Sequence, residues 1–295
     1  MLLRTRLAPT PSGYLHLGNA LSFVVTWAIA RAREGQILLR IDDLDAGRRR
    51  PEYLEDIFRT IEWLDIDFDE GPEGPDDFLA QYSQQLRLPQ YHEALRQLKE
   101  QGHLYACTCS RKEIRQLSTN GNYPGTCLKQ GKDFDAPRTA WRVKVGPTRE
   151  VTIPGWKRGI ESIDLGREMG DFVVRQKNRA PAYQIASLVD DEHWKINFIV
   201  RGLDLLPSTG AQLYLADLLG YEQFTQATFW HHDLITGEDG QKLSKSAGAD
   251  ALKTWREAGK TPGDIFQIAA DWLGVTEGSI RTSAELLAAV KDQNL

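Results

Sequence analysis

Cysteine is scarce in this chain of 295 residues, which carries only Cys107, Cys109 and Cys127. Three thiols clustered in one stretch cannot make the paired framework of a small secreted domain, and they point instead to metal or redox chemistry. Long apolar runs are also missing. The opening MLLRTRLAPTPSG turns to Pro and Gly before a signal-peptide core could form, and no segment reaches the roughly 18 uncharged apolar residues of a membrane span. The expectation is a cytoplasmic protein with no membrane partner. An overall basic charge is lacking too: 36 Lys and Arg face 41 Asp and Glu for a net charge of −5, which is unpromising for a general nucleic-acid binder. Repeats and low-complexity tracts are absent, so the sequence implies neither a solenoid nor a disordered array.

What is present is enough apolar material, 41% of residues, to bury the core of one large domain with an insertion, or of two modest domains. Charge is distributed unevenly. Residues 111–179 hold 15 Lys and Arg against 8 Asp and Glu, a basic tract that reads either as a solvated face or as a surface turned to RNA. Lys112, Arg115, Lys129 and Arg138 are its candidate RNA contacts.

Residues 3–8 read as a short buried strand, after which Pro9, Pro11 and Gly13 supply turn chemistry. Leu17, Leu21, Val24, Val25, Ala28 and Ile29 fall on one face at helical spacing and Gly35 ends the run, so a helix is predicted, followed by a second strand over 37–41. Pro51 suits a first helical turn, and Tyr53, Ile57, Ile61 and Leu64 carry the next amphipathic stripe. This alternation predicts an α/β fold with a Rossmann-type, doubly wound parallel sheet. The pattern breaks into Cys- and turn-rich sequence over 104–130 and short strand-like runs over 138–174. Parallel-sheet character is expected again over 182–189 and 198–200, then a helix over 209–219 closed by Gly220, with further helical patterning over 284–290. The domain reading is 1–103 as the first half of the sheet domain, 104–180 as an inserted subdomain, 181–246 as the second half, and 247–295 as a short helical C-terminal region.

Two motifs sit where chemistry can use them. Arg6-Leu7-Ala8-Pro9-Thr10-Pro11-Ser12-Gly13-Tyr14-Leu15-His16-Leu17-Gly18-Asn19 joins the first strand to the first helix. A helix N-terminus offers unsatisfied N–H groups and the positive end of a dipole, which suits a triphosphate. His16 can donate a hydrogen bond there, and Gly18 leaves room for an adenine ring. Late in the chain Lys242-Leu243-Ser244-Lys245-Ser246 follows Gly237-Glu238-Asp239-Gly240. Two lysines on a Gly-hinged loop can close over an anionic transition state.

Taken together, H-L-G-N and K-L-S-K-S resemble the two signature motifs of class I aminoacyl-tRNA synthetases. The wording of R-x-A-P-T-P-S-G-x-L-H-L-G-N, of Leu39-Arg40-Ile41-Asp42-Asp43-Leu44-Asp45 and of Val200-Arg201-Gly202-Leu203-Asp204 is similar to the glutamyl/glutaminyl branch. Charge argues in the same direction, because glutamate brings two carboxylates and one ammonium, and Arg forks suit carboxylates better than Lys does. Arg6 and Arg201 supply such cations. The resemblance implies that His16, Lys242 and Lys245 are catalytic. It further implies that Arg6, Leu7, Ala8, Pro9, Thr10, Asp42, Tyr183 and Arg201 bind glutamate, and that His16, Gly18, Asn19 and Lys245 bind ATP with Mg2+ on its phosphates. The family usually has Glu where this chain has Asp42, which shortens the carboxylate arm by one methylene.

Cys107-Thr108-Cys109 followed by Tyr123-Pro124-Gly125-Thr126-Cys127 offers three soft thiolates of the kind zinc binds tetrahedrally, leaving a fourth position for which Tyr123 and His103 compete. The pattern resembles the metal site of the glutamyl-queuosine tRNA(Asp) synthetases, a truncated subgroup of this family. That likeness implies one structural Zn2+ per chain, completed by Tyr123, in an acceptor-binding-like insert. About 49 residues follow Ser246, too few for the anticodon-binding domain of full-length relatives. The resemblance, which spans residues 4–246, implies ATP-dependent, tRNA-independent formation of glutamyl-adenylate by a monomer, then transfer of glutamate to queuosine in the anticodon loop of tRNA(Asp). Three alternatives stay open: a short glutamyl-tRNA synthetase-like enzyme charging a tRNA 3′ end, a nucleotidyltransferase of the same superfamily, and a non-catalytic module that binds amino acid or RNA.

Overall fold

The computed structural model describes residues 2–118, 121–157, 159–234, 251–275 and 278–293. In chain order the principal elements are β1 (Arg4–Leu7), α1 (Leu17–Ala32), β2 (Gln36–Leu39), α2 (Pro51–Trp63), α3 (Leu88–Glu100), β3 (Leu104–Cys107), α4 (Arg111–Leu117), β4 (Ala140–Val143), β5 (Glu150–Pro154), β6 (Ile160–Asp164), β7 (Val173–Arg175), α5 (Tyr183–His193), β8 (Phe198–Gly202), α6 (Leu206–Leu219), β9 (Thr228–His232), α7 (Leu252–Glu257), α8 (Gly263–Leu273) and α9 (Ser283–Asp292). They gather into two compact units. Met1–Leu86, Asn197–Asp204 and Trp230–Leu295 make the first, and Arg87–Ile196 with Leu205–Phe229 make the second. No described helix is long and apolar enough to cross a membrane.

The first unit is organised around α1. This helix is apolar nearly all the way round, with Ala20, Leu21 and every residue from Phe23 to Ala30 buried, the signature of a helix enclosed on all sides. It connects β1 to β2, which pair in parallel with Arg4 opposite Gln36 and Leu7 opposite Leu39, so a β-α-β unit forms where the periodicity predicts one. On the far side of β1 the chain returns just ahead of β8: the Asn197 amide donates to Arg4 O at 3.0 Å, and the Arg4 amide donates to the Asn197 side chain at 2.8 Å. The far edge of β2 is bonded to Asp69 and Glu70 through Ile37 O and the Leu39 amide. Strand pairing in this α/β unit nevertheless falls into separate two-stranded sheets, β1–β2 and β8–β9, smaller than the continuous doubly wound sheet expected from the sequence.

The second unit holds an antiparallel sheet of β3, β4 and β7 in that order and a β5–β6 hairpin, with α3, α5 and α6 packed on one another. The expected insert, 104–180, falls wholly inside this unit. Residues 182–189, expected to bring strand character, instead form α5. The reason is burial: all seven positions from Ile185 to Asp191 are enclosed, which erases the amphipathic period that separates a buried helix from a buried strand. α6 ends as foreseen, with Gly220 in the left-handed conformation at φ 70°, where a glycine carries no Cβ penalty. Inside the unit the Asp190 carboxylate is fully buried and satisfied by Arg87 Nε at 2.8 Å, Arg87 Nη2 at 3.0 Å and the Tyr91 hydroxyl at 2.7 Å.

Candidate active site and metal centre

In the first unit, Arg6 lies on β1 and Arg201 on β8, both buried, at 6% and 3% exposure. Arg6 Nη1 reaches Val200 O at 3.4 Å, so the residue on one strand touches the backbone beside the arginine on the other. Two guanidinium groups taken out of water need carboxylates or an anionic ligand to share their charge. Residues 7–9 run beside 40–42, with the Arg40 amide on Leu7 O at 2.9 Å and the Asp42 amide on Pro9 O at 2.8 Å. Thr10, Pro11, Ser12, Asp42 and Asp43 contribute to a small cavity of about 50 Å³ closed by Asp45, Arg48 and Arg49. Asp43 is a scaffold residue: its buried carboxylate accepts from Arg49, the Ser83 hydroxyl and the Gln84 amide.

His16 caps α1, and its own amide donates to the Asn19 side chain at 3.0 Å. Gly18 and Asn19 lie in the first turn of that helix. The chain comes back to this cap at the start of α7: Ala251 bridges His16, the Leu252 amide donates to Leu15 O at 2.9 Å, and Lys253 Nζ donates to the Tyr14 hydroxyl at 3.1 Å. Tyr14 in turn packs edge-on against Tyr53 at 4.9 Å. Lys242 and Lys245 lie outside the described residues. Tyr183 opens α5 in the second unit and is 39% exposed.

The second unit brings the three cysteines together, with Sγ atoms all within 4.8 Å of one another. Cys109 and Cys127 stand 3.5 Å apart, near the spacing of about 3.8 Å that two thiolates take on a tetrahedral zinc at about 2.3 Å. The Tyr123 hydroxyl is 3.6 Å from Cys109 Sγ and accepts the Cys127 amide at 2.8 Å; His103 does not join the group. Burial pushes the Cys127 thiol up, but hydrogen bonds from the Tyr123 phenol and the Thr108 amide outweigh it and pull the thiol down to about 6. Burial leaves Cys109 raised, and it raises Tyr123 further, since that phenol donates to the sulfurs. One thiol is therefore poised as thiolate, as a divalent metal requires. The donor set fits a soft four-coordinate cation.

Sequence reasoning missed the side chains that hold these groups. Arg40 Nε and Nη2 grip the two oxygens of Asp42 at 2.8 and 3.1 Å, a partner that the period of two along an extended segment could have suggested. Arg142 lies over the Tyr123 ring at 3.8 Å, and nothing local in the sequence signals it. The four candidate RNA contacts, Lys112, Arg115, Lys129 and Arg138, are all exposed in the second unit.

Comparison with known proteins gives the family. Residues 2–286 match the family of tRNA synthetases class I (E and Q), catalytic domain, and the chain belongs to that family. Among curated relatives it is 38% identical to the Glutamyl-Q tRNA(Asp) synthetase of Cupriavidus metallidurans, over 97% of this chain and 89% of that protein. It is 40% identical to the protein of the same name in Pseudomonas paraeruginosa, over 82% and 76% respectively. In fold it is similar to the glutamate-tRNA synthetase of Elizabethkingia anophelis, with a TM-score of 0.80 at 24% identity, covering 99% of this chain and 66% of that one.

Proposed function

We propose that this protein is a ligase that activates L-glutamate with ATP, independently of tRNA, and transfers the glutamyl group to queuosine in the anticodon loop of tRNA(Asp). The observation that carries the reading is the pair of buried arginines, Arg6 on β1 and Arg201 on β8, in the unit whose first helix His16 caps. A site that keeps two guanidinium groups out of water selects a ligand with more than one anionic group. Relatives named for glutamyl-Q synthesis support the acceptor.

On this reading the α-carboxylate of glutamate attacks the α-phosphorus of ATP, the bond to the β-phosphate breaks, and pyrophosphate leaves. His16, Lys242 and Lys245 offset the charge that builds on the phosphoryl oxygens, and Gly18 and Asn19 line the nucleotide at the start of α1. Mg2+ on the phosphates supplies further charge neutralisation when bound. Arg6, Arg201 and the stretch through Leu7, Ala8, Pro9 and Thr10 orient the amino acid; Asp42 faces its ammonium, and Tyr183 enters on the family resemblance alone. A hydroxyl of the nucleoside then attacks the adenylate carbonyl and AMP leaves, a step governed by positioning. We read β1-α1-β2 with β8 as the Rossmann-type core of the catalytic domain, and 104–180 as an acceptor-like insert. Cys107, Cys109, Tyr123 and Cys127 would hold a structural Zn2+ in that insert, and its exposed basic residues would grip the RNA. Glutamate-dependent ATP–pyrophosphate exchange without tRNA tests the first step. Exchange driven by glutamate and not by glutamine is the expected result, and exchange that requires tRNA would overturn it.

A further inference from the structure

Arg142 is a buried cation in an unusual setting. It is 7% exposed, its Nε finds no hydrogen-bond partner, and among the described residues it makes no ion pair. Its Nη1 is spent on Asp171 O at 2.6 Å. The Asp171 carboxylate is turned elsewhere, to the Tyr105 hydroxyl at 2.7 Å and the Val145 amide at 2.8 Å. A guanidinium withdrawn from water without a carboxylate bonded to it is costly. What it does touch is the face of Tyr123, with its central carbon 3.8 Å from the ring centroid.

The strand register explains the placement. On β3 and β4, Tyr105 lies opposite Arg142 and Cys107 opposite Ala140. Side chains two apart share a face of a sheet, so Arg142 stands on the face that presents Cys107. Tyr123 is fixed from behind by its backbone bridge to Gly170 and from the side by Tyr105, with ring centroids 6.4 Å apart. Clamped in this way, its hydroxyl points among Cys109 and Cys127. Two further cations converge on the residue between the first two cysteines: Lys177 donates to Thr108 O at 2.7 Å, and Lys132 to the Thr108 hydroxyl.

We infer that Arg142 is the positioning residue of the metal centre: stacked on Tyr123, it holds the fourth ligand toward the three thiolates and offsets the negative charge of the filled site. Three thiolates around a divalent cation carry a net charge of −1, and an oxygen ligand from a phenol concentrates more electron density in a water-poor interior. The guanidinium, which makes no direct ion pair among the described residues, lies on the ring of the residue that would carry that charge. The inference rests on the reading of the cysteine cluster as a zinc site. Residues that support a metal ligand from outside commonly change affinity by about 10- to 100-fold.

The test is zinc retention by the full-length protein under graded chelator competition, for wild type, Arg142→Met, Arg142→Lys, Tyr123→Phe and the Arg142→Met/Tyr123→Phe double variant. Wild type is expected to hold one zinc per chain. Arg142→Met should lose it at about tenfold lower chelator, and Arg142→Lys, which keeps the charge without the planar stack, should fall between. In the Tyr123→Phe background, Arg142→Met should cost clearly less than in wild type, because the ligand it positions is gone and only the thiolate charge is left for it to offset. With Co2+ in place of Zn2+, the visible ligand-field bands of Arg142→Met should move toward those of Tyr123→Phe. If Arg142→Met weakens binding equally in both backgrounds and leaves the cobalt bands where wild type has them, its role is only to support the fold and the inference is overturned. If Arg142→Met does not fold, Arg142→Lys carries the same comparison. Wild type without metal, when purified with no chelator, would instead remove the zinc reading itself.

Discussion

Arg40 holds both carboxylate oxygens of Asp42, at 2.8 Å through Nε and 3.1 Å through Nη2. The pair is nearly dry, with side chains 1% and 11% exposed. A short carboxylate gripped bidentately has less reach toward a ligand's ammonium. Asp42→Glu adds one methylene of reach and should lower KM for glutamate roughly three- to tenfold with kcat unchanged, in keeping with about 1 kcal/mol for an improved charge-assisted contact. Pyrophosphate exchange at varied glutamate reads this directly. An unchanged or higher KM would mean that Asp42 already meets the ammonium or has no part in binding it.

Arg201 and Lys245 should fail in different ways. Arg201→Met removes a ground-state contact with a carboxylate, so KM for glutamate should rise by roughly 30- to 100-fold, from about 2–3 kcal/mol, while KM for ATP stays within about threefold. Lys245→Ala removes a contact made to developing charge, so kcat should fall by about 2–4 kcal/mol of transition-state stabilisation. Equal effects of Arg201→Met on both substrates would point to general disruption of β8 rather than to a glutamate contact.

These residues also mark the reach of the sequence. β1, α1, β2 and the Gly220 terminus of α6 are legible because period and cap chemistry are local properties. α5 is not, since its Ile185–Asp191 run is buried on every side. The clustering of Cys107, Cys109, Cys127 and Tyr123 follows from residue type and short spacing. The stack of Arg142 on Tyr123 depends on the register of β4 against β3, and no local pattern encodes it. The alternation of elements suggests a domain interrupted by an insert, but no segment marks that residues 87–103 and 205–229 group with that insert.

His232 gives a pH dependence. Burial holds its imidazole below its ordinary value, against the opposing pull of the Asp233 carbonyl and of the Asp204 and Asp233 charges. The ring stacks on Trp272 at 4.7 Å. Because the unfolded chain binds the proton more tightly, at about 6.5, this contribution to stability is complete above about pH 6.5 and is lost as pH falls through the depressed folded value. His232→Phe keeps an aromatic stack without a titrating group. Its urea midpoint should therefore fall less than that of wild type between about pH 6.5 and 5, followed by Trp fluorescence; parallel acid limbs would exclude His232 as a source.

Gly71 tests the packing beside β2. Its φ of +129° and a hypothetical Cβ only 2.6 Å from Leu39 O leave no room for a side chain. Gly71→Ala should lower stability by about 1–3 kcal/mol, seen as a fall in Tm of several degrees. A neutral Ala would show that the turn at Gly71 can shift away from β2 at no cost.

The central claim concerns the acceptor. Labelled glutamate and ATP, supplied with queuosine-bearing tRNA(Asp), with the same tRNA lacking queuosine, and with tRNA(Glu), separate the possibilities in one experiment. The account predicts label on queuosine-bearing tRNA(Asp) alone. Label on the 3′ end of tRNA(Glu), with none on the modified tRNA(Asp), would contradict it.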